Sequence, residues 1–263
     1  MDLKIAGKRA LVLGGNRGIG QGIAQALVAE GVHVAITGRD VARMADAVGE
    51  LQSGTAGVEV KAFALDLADT AGLAAFAAKV SAEFGPIDIL VNNSGGPGYG
   101  GASGRGIAEW TSSFTEMVLS VITLTDALLP GMRSRGWGRI MTVVSSGVVQ
   151  PIPILGVSNT LRNSLVAWSK TLSGEVAREG VTVNVLVPGR IDTERVRLTD
   201  EAVATKEGIS ADEAKRRSTA IIPMGRYGAP AEFGALAAFV ASQPASYITG
   251  SMLRCDGGNI RSI

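Results

Sequence analysis

The sequence predicts an α/β protein, a single domain over residues 1–263 with a doubly wound, predominantly parallel sheet of seven strands. Short β-rich runs alternate with longer helical runs from end to end. The middle strands are almost continuously apolar, as parallel strands covered on both faces are. A glycine-rich turn follows the first strand directly and opens the first helix.

The first strand is read at Ala10–Leu13. Gly14-Gly15-Asn16-Arg17-Gly18-Ile19-Gly20 then leads into a helix over Gly20–Glu30. Strand Val32–Thr37 precedes helix Asp40–Ser53, and strand Val58–Ala64 precedes helix Thr70–Phe84. Strand Ile87–Asn92 leads to a long helix, Thr111–Arg135, and strand Arg139–Ser145 to helix Thr160–Arg178. Strand Val181–Val187, helix Ala231–Ala241 and an edge strand, Ser251–Cys255, complete the series. Such repetition implies right-handed crossovers. The one long polar stretch, Asp192–Arg217, lies beyond the carboxyl ends of the strands, where sheets of this kind bind ligands. It is read as part of a helical substrate lid over residues 192–222.

Bulk composition narrows the function. Basic and acidic residues nearly cancel, 25 against 24, so no strong field steers the chain to nucleic acid or a membrane surface. One cysteine, Cys255, excludes an internal disulfide and fits a reducing compartment. One histidine, His33, argues against a zinc or histidine-based site, and no metal is expected. Neither a signal-peptide core nor an uninterrupted apolar run of about 18 residues is found, so a cytoplasmic location without a membrane span is expected.

The first unit reads as a Rossmann-like dinucleotide site. Gly14 permits the tight turn, while Gly18 and Gly20 permit close approach of a pyrophosphate and of helix to sheet. Backbone N–H groups at the helix start meet the phosphate charge, and Asn16, Arg17 and Ile19 belong to the same loop. A glycine-rich turn without a ligand is the plain alternative. An acid at the tip of the second strand would suit the ribose hydroxyls of NAD(H). Here Gly38 and Arg39 stand there, with Arg17 nearby, and two guanidinium groups suit a 2′-phosphate. NADP(H) is therefore favoured over NAD(H). Asp40 keeps the second option open, as does a solvated role for Arg39. Asp66 and Leu67 are placed to meet the adenine, although Asp66 would also serve as a cap for the helix starting near Asp69-Thr70. Small residues in Asn92-Asn93-Ser94-Gly95-Gly96 let a ribose lie on the backbone at Gly95, with Asn92 tying the strand end to its neighbours.

Together these residues resemble the short-chain dehydrogenase/reductase family over nearly the whole chain. Gly14–Gly20 resembles the family's Thr-Gly-x3-Gly-x-Gly loop without its threonine, and Asn92-Asn93-Ser94-Gly95 resembles Asn-Asn-Ala-Gly. Pro188-Gly189 with Ile191-Asp192-Thr193 resembles the segment bordering the nicotinamide, where Thr193 would touch the cofactor. Ile248-Thr249-Gly250 and Asp256-Gly257-Gly258 resemble the closing segment. The general likeness is to 3-oxoacyl-[acyl-carrier-protein] reductases and related carbonyl reductases. It implies carbonyl reduction by nicotinamide hydride, with a serine orienting the oxygen and a tyrosine donating the proton. A lysine tunes the tyrosine and holds the ribose, and an asparagine supports a water path.

Only the serine, Ser145, is matched. Thirteen residues on, Ser158 stands at the tyrosine position, and four further on Arg162 stands at the lysine position. Met117 falls at the asparagine position. Arg162 keeps the charge and offers five donors to the ribose, but it cannot relay protons. Ser158 is a weak acid. Losing general acid catalysis costs about 10²–10⁴ in rate without abolishing hydride transfer, and Ser145 with Ser158 can still hold a carbonyl oxygen as paired donors. Tyr99, in a glycine-rich loop past the fourth strand, is a candidate catalytic or substrate-binding residue, or else a lid aromatic. Tyr227 and Tyr247 read as turn residues.

An apolar wall from Val148 to Leu155 suits a small aliphatic or alicyclic carbonyl or alcohol better than a sugar. The lid's Arg195, Arg197, Lys215, Arg216 and Arg217 either meet an anionic group or face water, which leaves an acyl-thioester substrate open. The two long helices carry apolar residues on more than one face. They either lie under other elements or meet a partner subunit, and the resemblance implies a homo-tetramer, or a homo-dimer. The sequence thus points to an NADP(H)-dependent oxidoreductase with an atypical catalytic set. The other account is a nicotinamide-nucleotide-binding sensor or assembly protein with little or no redox activity.

Overall fold

Seven apolar runs pair into one all-parallel sheet in the computed structural model, which describes residues 1–53 and 56–262. The strands are β1 (Arg9–Val12), β2 (His33–Gly38), β3 (Val60–Ala64), β4 (Ile89–Asn92), β5 (Gly138–Val143), β6 (Val181–Pro188) and β7 (Met252–Cys255). Their order is β3-β2-β1-β4-β5-β6-β7. Each boundary lies within two residues of its predicted position. Every residue of β4, β5 and β6 is buried, which explains their unbroken apolar character. The edge strands are less covered: β7 alternates between half-buried and exposed positions, and in β3 only Val60 and Phe63 are buried.

Helices α1 (Gly18–Ala29), α2 (Val41–Gln52), α3 (Leu73–Phe84), α4 (Ile107–Phe114), α5 (Ser120–Ser134), α6 (Gly156–Val176), α7 (Glu194–Glu207), α8 (Ala211–Ala220) and α9 (Pro230–Ala241) connect them. On one face Ile23 and Leu27 of α1 meet Phe233, Ala237 and Val240 of α9. On the other, Leu73, Val80, Phe84, Leu124, Leu128 and Leu172 form a second core. Glycines allow α1 and α9 to touch backbone to backbone. A Cβ at Gly22 would lie 2.5 Å from the Pro230 carbonyl oxygen, and one at Gly234 would lie 2.2 Å from the Gly22 carbonyl oxygen.

Two expectations are corrected. The helix predicted over Thr111–Arg135 begins at Ile107 and is interrupted by a π-helical turn at Thr115–Leu119, where one extra residue widens the coil. By length and composition the rod Ile107–Ser134 is apolar enough to cross a membrane. Its Met117, Val121, Leu124 and Met132 are instead buried within the fold. The helix predicted from Thr160 begins at Gly156, whose N–H donates to the Gly100 carbonyl at 2.9 Å. Packing against the 100–102 backbone, which a Cβ at Gly156 would strike, sets that earlier start. The polar stretch is a pair of helices: Gly208, at φ +66°, ends α7, and the Ser210 hydroxyl caps α8.

The strand order reverses beside β1, which has β2 on one side and β4 on the other. This switch point opens a crevice at the carboxyl ends of the strands.

Candidate functional site

One end of the crevice is made of backbone. Gly14 and Gly18 adopt φ of +59° and +55°, which favour glycine. A Cβ at Gly20 would lie 2.2 Å from the Gly14 carbonyl oxygen. Arg17 precedes α1 in extended conformation without a side-chain cap, and no acid stands in the first turn. The first N–H groups of α1 therefore face the glycine cradle, an arrangement that fits a phosphate group. Gly14 N–H donates to Thr37 Oγ1 at 3.2 Å, and Asn93 Nδ2 donates to the Leu13 carbonyl at 3.1 Å. Asn93 thus ties β4 to the loop, a contact not singled out from the sequence. The Asn92 side chain is buried and donates to Thr125 Oγ1 of α5 at 3.2 Å, tying the strand end to that helix.

At the tip of β2 the Asn16 amide lies over Gly38, where a Cβ would come within 2.9 Å of Nδ2. Arg39 is exposed and makes no ion pair among the described residues. Arg17 and Arg43 both pair with Glu194 Oε2, each at 3.3 Å. Neither Arg43 nor Glu194 was singled out from the sequence. Asp66 is exposed and bonds locally, accepting from Ala68 N–H at 3.0 Å. The cap of the turn that starts α3 is Asp69, which accepts from Gly72 N–H at 3.3 Å. Leu67 is half-buried against the second core.

The segment after β6 closes over this loop. Gly189 N–H donates to the Cys255 carbonyl at 2.9 Å, and a Cβ at Gly189 would lie 2.5 Å from Asp256 Cα. Ile191 is buried in the first core, leaving its backbone to line the crevice, while Pro188 completes β6. Thr193 starts α7 and sits over Gly18, with its methyl 3.3 Å from where a Cβ would stand.

The other end of the crevice is made of side chains. Ser145 ends the β5 segment, and its Oγ accepts from Gly147 N–H at 3.1 Å. Ser158 is buried in the first turn of α6, and Arg162 follows one turn later. The guanidinium of Arg162 donates to the carbonyls of Val143 at 3.0 Å, Gly95 at 3.0 Å and Ser94 at 3.3 Å. It clamps the ends of β4 and β5 together. Burial, then the nearby Arg195 cation, lowers its pKa to about 10, and no carboxylate pairs with it among the described residues. Met117 is buried with Val118, Val144 and Val157, which leaves an apolar patch where a water path would run. Asn159, beside Ser158, has a buried Oδ1 without a hydrogen-bond partner.

Tyr99 faces the lid. Its hydroxyl shares a 2.6 Å hydrogen bond with Thr199 of α7, and the Arg195 guanidinium stands 5.6 Å from its ring centre. The loop carrying Tyr99 is stitched down at Gly100, which donates to the Ile154 carbonyl at 2.7 Å. Tyr227 does hold a turn, and it also anchors α7: its hydroxyl donates to buried Asp200 at 2.7 Å, with Arg190 3.8 Å from that carboxylate. Burial, ahead of Asp200, raises the Tyr227 pKa. Among the described residues no cluster of histidine, cysteine and acidic groups could hold a metal.

Comparison with known proteins matches residues 14–259 to the family model described as enoyl-(acyl carrier protein) reductase. The chain is 33% identical to D-beta-hydroxybutyrate dehydrogenase of Cupriavidus necator, covering 96% of this chain and 97% of the relative. It is 34% identical to the 3-oxoacyl-[acyl-carrier-protein] reductase of Escherichia coli, covering 97% and 98%. The structure of L-sorbose reductase from Gluconobacter frateurii, complexed with NADPH and L-sorbose, superposes over the full length of both chains with a TM-score of 0.95 and 31% identity.

Proposed function

The chain belongs to the short-chain dehydrogenase/reductase family, and from that premise we propose that it is an NADP(H)-dependent oxidoreductase of carbonyls or secondary alcohols. Its substrate is a small molecule or an acyl thioester with an apolar body. The catalytic set is atypical, with Ser158 and Arg162 where the family places tyrosine and lysine. The observation that carries this reading is the uncapped start of α1 above a cradle that a Cβ at Gly20 would fill.

In this reading Gly14, Asn16, Gly18, Ile19 and Gly20 hold the pyrophosphate, and Arg17 with Arg39 holds the 2′-phosphate. Asp66 and Leu67 meet the adenine. Asn92 and Gly95 give backbone to the ribose, and Pro188, Gly189, Ile191 and Thr193 border the nicotinamide. When bound, the nucleotide supplies or accepts a hydride. Ser145 and Ser158 orient and polarise the substrate oxygen. Arg162 fixes the ends of β4 and β5 beneath the ribose and contributes positive charge, but as a guanidinium it does not shuttle protons. With no tuned acid beside the oxygen, turnover is slower by about 10²–10⁴ than with one. Tyr99 takes part in substrate binding with the lid, residues 192–222, through Thr199. The protein works in the cytoplasm as a homo-tetramer or homo-dimer.

Fluorescence titration with NADPH and NADH, run beside a panel of ketones, β-ketoacyl thioesters and secondary alcohols, tests this reading. Tight NADPH binding with turnover is expected. Tyr99→Phe should raise KM with little change in NADPH affinity; unchanged kinetics would remove Tyr99 from the site. A second account, a nucleotide-binding sensor with little or no redox activity, is favoured by Ser158 at the acid position. Tight NADPH binding without turnover across the panel would select it.

A further inference from the structure

Three elements that are distant in sequence converge on one carboxylate oxygen. Arg17 comes from the glycine loop, Arg43 from the first turn of α2 and Glu194 from the first turn of α7. The Arg43 backbone is fixed by the Asp40 cap, whose Oδ1 accepts its N–H at 3.0 Å. Glu194 is held by its neighbour Thr193, which packs over Gly18. Its carboxylate also suits the positive end of α7, so the contact needs no strain to persist. All three side chains are about half exposed, so each ion pair alone is weak and exchangeable.

Arg17 belongs to the glycine loop, and Arg43 stands in the first turn of the helix that follows the β2 tip, the end of the crevice assigned above to the 2′ substituent. A phosphate monoester carries a charge of about −1.5 to −2 and three strong acceptor oxygens. It competes well against a single shared carboxylate oxygen, and a ribose hydroxyl does not. We propose that Arg43 and Glu194 set the discrimination between 2′-phosphorylated and 2′-hydroxyl nucleotides: Glu194 latches α7 to Arg17 and Arg43, and a 2′-phosphate displaces it. Arg43 is then a phosphate ligand beyond the pair expected from sequence. Release of Glu194 frees the start of the lid, so only a 2′-phosphorylated nucleotide unlatches it. This inference rests on the dinucleotide reading of the glycine loop.

The test compares adenosine 2′,5′-bisphosphate with adenosine 5′-monophosphate by calorimetry, and follows hydrogen exchange in α7. In the unsubstituted chain the bisphosphate should bind more tightly and speed exchange at the first turns of α7, and the monophosphate should leave that exchange unchanged. Glu194→Gln should tighten the bisphosphate about threefold to tenfold, leave the monophosphate unchanged, and show fast α7 exchange before any nucleotide is added. Arg43→Gln should weaken the bisphosphate by about fivefold or more without affecting the monophosphate. If Glu194→Gln moves both affinities equally, or if the bisphosphate slows α7 exchange, the latch is overturned while the nucleotide site stands. If neither compound binds the unsubstituted chain, the dinucleotide reading fails and the latch falls with it.

Discussion

The two ends of the crevice are built from different materials. Around β1 and α1 the surface is backbone: glycines at positive φ, N–H groups without caps, and a carbonyl 2.2 Å from where a Cβ at Gly20 would stand. Around β5 and α6 it is side chains, namely Ser145, Ser158, Arg162 and Met117. The first surface tolerates little substitution, because a Cβ at Gly20 meets backbone and Gly14 and Gly18 stand at positive φ. The second keeps its backbone while its chemistry changes: Arg162 holds the strand ends through three carbonyls whatever the reaction is. On the proposed reading, binding rests on the main chain and catalysis on side-chain groups carried by a fixed frame.

The sharpest way to break this contrast is Gly20→Ala. The added methyl meets backbone, so nucleotide binding should fall by about 100-fold or more, and overpacking should cost about 1–3 kcal/mol. NADPH titration and urea unfolding check both. Ser145→Ala should do the opposite, lowering turnover by about 10²–10³ with NADPH affinity unchanged. A fall in NADPH affinity to match would erase the distinction between the two ends. Next comes Arg162→Met, which leaves the carbonyls of Val143, Ser94 and Gly95 without their donor. A loss of about 2–3 kcal/mol in denaturant unfolding is expected. If stability were unchanged, Arg162 would be a ligand group and not also a clamp.

Smaller effects sharpen the picture. Tyr227→Phe removes the donor to buried Asp200 and should cost about 1–2 kcal/mol, with faster hydrogen exchange in α7. Glu232, in the first turn of α9, titrates far below its ordinary 4.5, at about 2, because Arg226 and then the Ala229 N–H stabilise its charged form. A lowered folded-state pKa stabilises the ionised fold. The contribution is complete above about pH 4.5 and is lost as pH falls through about 2. The Tm gap between the unsubstituted chain and Glu232→Gln should hold steady at neutral pH and close between pH 4.5 and 2.

The central strands were legible because burial on both faces demands apolar runs, and the glycine loop was legible because steric need leaves few residue choices. The π-helical turn at Thr115–Leu119 was not, since one extra residue barely alters the apolar periodicity. Asn92 and Asn93 are adjacent in sequence but point to opposite surroundings, and only the fold tells which one supports the loop. Arg43 and Glu194 read as ordinary helix-surface charges until three elements are brought together. Asp200 hid in the most polar stretch of the chain, where nothing marks it as buried beside Tyr227.

The backbone contact between α1 and α9 also bears on how the protein is made. Its partners, Gly22 and Gly234, are separated by most of the chain. During synthesis α1 and the first β-α-β unit emerge early, yet the side of α1 that meets Phe233, Ala237 and Val240 stays uncovered until those residues leave the ribosome. A ribosome stalled ahead of α9 should present a nascent chain with an unprotected α1, prone to capture by chaperones, and nucleotide binding should begin only once that last helix docks.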